Sequence, residues 1–337
     1  MSRETFEWLN LYTLIGYTDE RGNAWHYRAE LQGLESNHYS GAVPVDDVLR
    51  RLFGFEVVEA PVYYKLPDGS FVPSQVGRKG MLRSDTNYDL GAFKSGYQGH
   101  PYDQWLLENV ATILDDSELG IGSAGLLRMG GQAWVSVEVP GNITTPEGVE
   151  FRPNLLACTS YDGTLATTYK RVITRVVCDN TAEAARSEDG QEFKVKHTKY
   201  SGYRINDARE ALQIVHTMAD DFAEEVARLT AWKVSDKQFQ AHLTQMVPIN
   251  DELSKIALTN GEKKRAEIVN LYNEDERCAP WKGTAYGVAQ TWNTWGQHHR
   301  KVRGETPRYV RNMENLLKGN IGAEDRHVLD ILGTVCK

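Results

Sequence analysis

Long apolar runs are missing from this sequence. None reaches the roughly 18 residues that would argue a membrane span, so no membrane segment is expected. The opening stretch, MSRETFEWLNLYTLIGY, has no basic region leading into an apolar one, so no secretory leader is expected either. Cysteine is scarce: Cys158, Cys178, Cys278 and Cys336 are widely spaced and form no C-x-x-C pair. That spacing argues against structural zinc or a disulfide framework and fits reduced thiols in a cytoplasm. The Walker-A loop, G-x-S-x-G, H-E-x-x-H and the kinase signatures are also lacking, which removes the enzyme classes they mark. His298 and His299 are adjacent and diverge on a helix, a poor metal pair. Neither a metal nor another cofactor is expected.

What is present is ordinary globular material. With 41% hydrophobic residues in a 337-residue chain, a core needs no staples. The net charge of −8 excludes a surface evenly coated in positive charge, but its distribution is uneven. From Trp281 to Lys337 there are nine Lys/Arg against five Asp/Glu, a local +4 that leaves −12 on the rest. Such asymmetry permits an anion-binding face on an acidic body.

Turn signals at Asp19-Glu20-Arg21-Gly22 and Pro67-Asp68-Gly69 flank short β-like pieces such as FEVVEAPVYYKL. HPYDQWLLENVATILDD reads as a helix, and GIGSAG (Gly120 to Gly125) as a loop without phosphate-binding spacing. In QAWVSVEVP the period of two predicts a half-buried strand. NLLACTS predicts a second, Asp162-Gly163 a tight turn, and TLATTYKRVITRVVC a third. Asn180, three residues before Glu183, has capping-box spacing, so AEAA is expected to open a helix. Ala208, Leu212, Val215, Ala219, Phe222, Val226 and Leu229 form the apolar stripe of a long amphipathic helix, packed within the fold or joining subunits. The chain beyond Ala231 reads as helical.

The expected class is therefore α+β, with a central antiparallel β-meander (β-β-β-α), a long amphipathic helix and a helical C-terminal region. Three portions are expected: residues 1–77 (N-terminal α/β), 78–230 (the β-β-β-α core and long helix) and 231–337 (helical, with a basic-aromatic segment).

Two basic-aromatic constellations suit a single-stranded nucleic acid, whose phosphates pair with guanidinium groups and whose bases stack on rings. One is the third strand, where Tyr169, Arg171 and Arg175 share an open face and Lys170 lies near the end of the core-directed one. The other is Trp292 to Gly319, which interleaves Trp292 and Trp295 with Arg300, Lys301, Arg303, Arg308 and Arg311. A solvated sheet face and a basic helix surface explain the same residues without a ligand. Cys178, next to an expected helix start, is a conceivable nucleophile with His197 as base and Asp162 as a third member. A cysteine after two valines at a strand end is more often a small buried hydrophobe.

The segments LRSDTNYDLG, GLLRMGGQAWVSVEVP, SYDGTLATTYKRVITRVVCDNTAEAA and WKGTAYGVAQTWNTW occur in an order that resembles the phage/plasmid-like proteins grouped as domain of unknown function 932. The resemblance spans roughly Arg78 to Arg311. It implies carriage by phages, prophages or plasmids and marks Asp162, Arg175, Cys178 and Asn180 as family-pattern positions, with no activity attached. More loosely, β-β-β-α followed by a long helix is similar to the architecture of single-strand annealing proteins of the Red-beta, RecT and Rad type. The functional expectation is single-stranded DNA binding and strand annealing during phage or plasmid recombination or replication, by a ring or helical homo-oligomer in the host cytoplasm. The rivals are a mobile-element hydrolase or transferase using Asp162, Cys178 and His197, and a protein that engages a host-defence factor.

Overall fold

The valine-rich strands expected in the middle of the chain form the centre of a nine-stranded sheet, and the protein is α+β. The computed structural model describes residues 15–17, 38–110, 114, 119–138, 143–175, 181–183, 192–195, 220–250, 252–302, 304 and 308–337. Contacts gather the chain into two units, each drawing on separated stretches of sequence. The first comprises Met1–Gly141, Pro153–Arg171 and Glu188–His216; the second comprises Asn142–Arg152, Val172–Ser187 and Thr217–Lys337.

In the first unit the strands are β1 (Ile15–Tyr17), β2 (His38–Tyr39), β3 (Val57–Pro61), β4 (Tyr63–Lys65), β5 (Phe71–Pro73), β6 (Arg78–Arg83) and β7 (Asp89–Lys94). After them come β8 (Gly120–Leu127), β9 (Gln132–Glu138) and most of β11 (Glu150–Ser160). The first part of β12 (Thr167–Arg175) and β14 (Glu192–Val195) complete the set. The large sheet runs β12-β11-β9-β8-β1-β2, with β14 also on β12. β3, β6 and β7 form a separate three-stranded sheet, and β4 and β5 a hairpin whose turn is the expected Pro67-Asp68-Gly69. Helix α1 (Val45–Leu52) and α2 (Tyr102–Trp105, continued by a π-turn over Leu106–Val110) close the core. Trp105, Leu106, Ile121, Val135, Val137, Leu155 and Tyr169 are fully or almost fully buried there.

Three expectations are corrected. The GIGSAG stretch is not a loop but the start of β8, antiparallel to β9. Its glycines serve close packing: a Cβ at Gly125 would lie 2.9 Å from the Trp134 ring, and one at Gly122 would overlap the Glu138 carboxyl group. Strand β9 is not half-buried, since all seven of its residues are buried and both faces are covered. Thr181–Glu183 is strand β13, not the first turn of a helix; it pairs antiparallel with β12, Thr174 opposite Thr181 and Val172 opposite Glu183. The ladder groups of a β-branched strand supply hydrogen-bond partners that outweigh the local helix preference of AEAA.

The second unit contains the start of β11 paired with β10 (Ile143–Thr144), the end of β12 paired with β13, and a helical assembly. Its helices are α3 (220–231), α4 (Asp236–Met246), α5 (Lys255–Glu274), α6 (Ala285–Thr294), α7 (Arg308–Leu317) and α8 (Asn320–Val335). Side chains set the starts of three of them. Ser235 and Gln238 form a reciprocal capping box on α4, and the hydroxyls of Ser254 and Thr284 accept from Ala257 N and Gly287 N. Phe239 stacks on Tyr272 at 3.9 Å between ring centroids. Phe222, Val226 and Leu229, the described part of the long apolar stripe, are buried in this core beside Val288 and Leu332. Of the two readings of that stripe, packing within the fold accounts for these three residues. Its members from Ala208 to Ala219 lie outside the described residues.

Among the described residues no helix is long and apolar enough to cross a membrane.

Candidate functional site

The basic-aromatic segment beginning at Trp292 changes helix type within a few residues. All ten residues of α6 are buried, and the chain then continues as a π-turn over Trp295–His299. Single π-turns recur at functional sites because the extra residue re-aims the side chains that follow. Here Trp295 and His299 both turn to Glu267 on α5. The Trp295 indole N–H donates to Glu267 Oε2 at 2.8 Å, and His299 Nδ1 lies 3.2 Å from Oε1.

Beside this turn is a cavity of about 270 Å³ within the second unit, walled by five helices and the loop after the π-turn. Helix α5 contributes Lys264, and α6 with its π-turn contributes Trp292, Asn293, Trp295 and Gln297. The loop adds Arg300 and Val302, α7 adds Arg311, Asn312 and Asn315, and α8 adds Ile321, Glu324, Asp325, His327 and Val328. Met246 supplies the contribution of α4. A relay of carboxamides braces the wall: Gln297 donates to Asn293 Oδ1, Asn293 to Asp325 at 3.4 Å, and Asn312 to the Gln297 carbonyl at 3.0 Å.

The charges are unequally matched. Arg300 pairs with Glu324 at 2.7 Å, in a partly exposed position where solvent screens most of the benefit. Lys264 is half-buried and makes no hydrogen bond or ion pair among the described residues. Its ammonium sits 4.1 Å from the Trp295 centroid and 5.1 Å from that of Trp292. Burial holds its pKa below the ordinary lysine value, and Arg300 pushes the same way against an opposing pull from Glu324. Arg311 likewise has neither hydrogen bond nor ion pair among the described residues. Behind the wall His242 is fully buried, with both ring nitrogens lacking a hydrogen-bond partner and its ring edge-on to Trp292 at 6.1 Å.

The fold therefore brings four of the expected binding residues, Trp292, Trp295, Arg300 and Arg311, to one cavity. It alters the roles of two. Trp292 is a core side chain with 7% exposure, unable to serve as an open stacking platform. Trp295 presents a face to Lys264, so its ring holds a cation. Lys301 is exposed and does not line the cavity. Arg308 is also outside the lining, half-buried, with Nη1 enclosed and without a hydrogen-bond partner. Arg303 lies outside the described residues.

The strand constellation fares differently. Tyr169 is not on an open face: it is fully buried in the core of the first unit, and Lys170 is buried as well. The expected open face of β12 is covered at this end of the strand, as is the opposite one: Thr167 to Lys170 are all buried. The side chains of Arg171 and Arg175, and Cys178, Asn180 and His197 altogether, lie outside what is described. Asp162, in the turn between β11 and β12, accepts from Thr164 N at 2.9 Å and faces Arg128 at 3.7 Å, a self-contained turn arrangement. Lys264 carried no signal in the sequence, because a lysine in the charged run GEKKRAE reads as a solvated helix face. Among the described residues no group of His, Cys, Asp and Glu side chains is arranged to hold a metal ion.

Neither a curated protein nor a solved structure matches the chain, so the looser likeness to single-strand annealing proteins gains no support. A family model does match, over residues 89–317, more than half of the chain and including both the β8–β12 strands and most of the cavity wall. The chain belongs to the family described as Domain of unknown function (DUF932).

Proposed function

We propose that this protein binds single-stranded nucleic acid through the helical second unit, and that binding serves strand annealing in phage or plasmid recombination or replication within a host cytoplasm. The observation that carries the reading is the convergence of Lys264, Arg300 and Arg311 with Trp295 around one cavity, Lys264 and Arg311 having no ion pair among the described residues. Phosphodiesters supply negative charge to these cations, and the release of their counterions provides the driving force. The strand residue Tyr169 takes no part in this reading, being buried. Assembly into a ring or helical homo-oligomer belongs to the same proposal. It rests on the charge split between the C-terminal segment and the remainder, since Phe222, Val226 and Leu229 are committed to the unit's own core. Titrating a fluorescent single-stranded oligonucleotide at low salt tests the reading. Tight binding that Arg311→Glu weakens severalfold is expected; no binding, or binding indifferent to that change, overturns it.

A further inference from the structure

The cavity offers more than a track for a phosphate backbone. We infer that it is the seat of a single nucleotide unit, a nucleoside monophosphate whose phosphate lies between Lys264 and Arg311 and whose base occupies the amide-lined remainder. This inference rests on the nucleic-acid reading above and names the part of the ligand that the site takes.

Charge comes first. Lys264 and Arg311 reach the cavity from different helices, α5 and α7, and neither has an ion pair or hydrogen bond among the described residues. Two half-buried cations at one cavity, neither with an ion pair among the described residues, are costly to hold, and an anion between them lowers that cost. The lowered pKa of Lys264 comes from its burial first and then from Arg300, and a bound anion would oppose both. Of the acids in the wall, Glu324 pairs with Arg300 and acts on Lys264 only from beyond ion-pair distance, and Asp325 accepts from the Asn293 amide.

Size and lining come next. A bare phosphate ion leaves most of the roughly 270 Å³ empty. The rest of the wall is apolar at Val302, Ile321 and Val328 and bears carboxamides at Asn312 and Asn315. Asn312 donates to the Gln297 carbonyl and Asn315 accepts from Asn320, which leaves the Asn312 Oδ1 acceptor and the Asn315 amide donor beside the apolar surface. That combination suits a heteroaromatic base with apolar faces and a hydrogen-bonding edge. A carboxylate of similar charge uses the cations but not the amides, and a lipid tail uses the apolar wall but not the cations.

The source of the nucleotide is either a free nucleoside monophosphate or the phosphorylated end of a strand, and calorimetric titration of the full chain separates them. The probes are deoxyadenosine monophosphate, deoxyadenosine, inorganic phosphate, and one oligonucleotide with and without a 5′-phosphate. The expected result is that the monophosphate binds at least about tenfold more tightly than either the nucleoside or inorganic phosphate, the loss of a charge-assisted hydrogen bond being worth about that factor. Lys264→Gln and Arg311→Gln are each expected to lower its affinity by about tenfold. Arg311 makes no hydrogen bond or ion pair among the described residues, so its variant keeps the test intact should Lys264→Gln fail to fold. A preference for the 5′-phosphorylated oligonucleotide assigns the site to strand ends; free monophosphate bound with no such preference assigns it to the soluble nucleotide. Oligonucleotide binding with no monophosphate binding, or monophosphate binding unchanged in both variants, overturns the inference while leaving the nucleic-acid reading standing. Monophosphate binding without any oligonucleotide binding does the reverse.

Discussion

The Lys264 ammonium lies 4.1 Å from the centroid of the Trp295 ring, while the indole N–H of the same tryptophan donates to Glu267 three residues further along α5. One helix thus grips the tryptophan by its face and by its edge, and the tryptophan in turn carries a lysine that has no ion pair among the described residues. A cation over an indole is worth about 0.5–2 kcal/mol, depending on solvation. The hydrogen bond to an ionised acceptor is worth about 1.5–3 kcal/mol.

Trp295→Phe keeps a ring under Lys264 and loses the bond to Glu267, whereas Trp295→Ala loses both along with the packing. Urea denaturation should show a loss of about 1–3 kcal/mol for the phenylalanine variant and a clearly larger one for alanine. Equal losses would mean that the ring face contributes nothing.

Salt should govern oligonucleotide affinity. Each phosphate neutralised on a single strand contributes a slope of about −0.7 in log affinity against log salt. Arg311→Gln is expected to make that slope shallower by about this amount, and Lys301→Gln by less, since Lys301 does not line the cavity. Fluorescence anisotropy at four or five salt concentrations is sufficient. A slope identical in wild type and Arg311→Gln would remove Arg311 from the interface.

Acid should destabilise both units through their buried histidines. His242 is depressed to about 4 by burial and by the nearby His327, and His100 to about 4 by burial alone. In the unfolded chain both titrate near about 6.5, so between these values the unfolded state binds more protons than the folded one. Their contribution is therefore complete above about pH 6.5 and is lost as the pH falls toward 4, by at most about 3 kcal/mol for each. Melting curves between pH 7.5 and 4 should fall through this window, and His242→Gln should flatten the fall. A melting temperature constant across the window would contradict the burial of these rings.

Glycine at position 122 is required by the Glu138 side chain on the neighbouring strand, which occupies the space of a Cβ. Gly122→Ala should cost about 1–3 kcal/mol as overpacking. Gly96→Ala, which meets open space at an ordinary backbone angle, should stay within about 0.5 kcal/mol. Thermal melts of the two variants side by side check the contrast.

What the sequence determined by itself is whatever is written in neighbouring residues. Alternation placed β9 and β12, Asp162-Gly163 placed the turn between β11 and β12, and the ordered segments from Leu82 to Trp295 named the family. These signals are local: a strand's period of two, a turn's positive backbone angle at Gly163 (φ +69°), and a spaced motif survive without knowledge of the fold. Tertiary structure decided the rest. Alternation shows that a strand has two faces, but only the neighbouring layers determine that both are covered, and so Tyr169 is core. GIGSAG looks like a loop until Trp134 and Glu138 come to lie where glycine side chains would be. Thr181–Glu183 has the capping signal of a helix, yet pairs with the open edge of β12, because a strand with unsatisfied groups is a stronger partner than a local cap. Lys264 reaches Trp295 across thirty-one residues of sequence, and Arg311 reaches the same cavity from a third helix, since helix packing and not spacing sets which side chains meet.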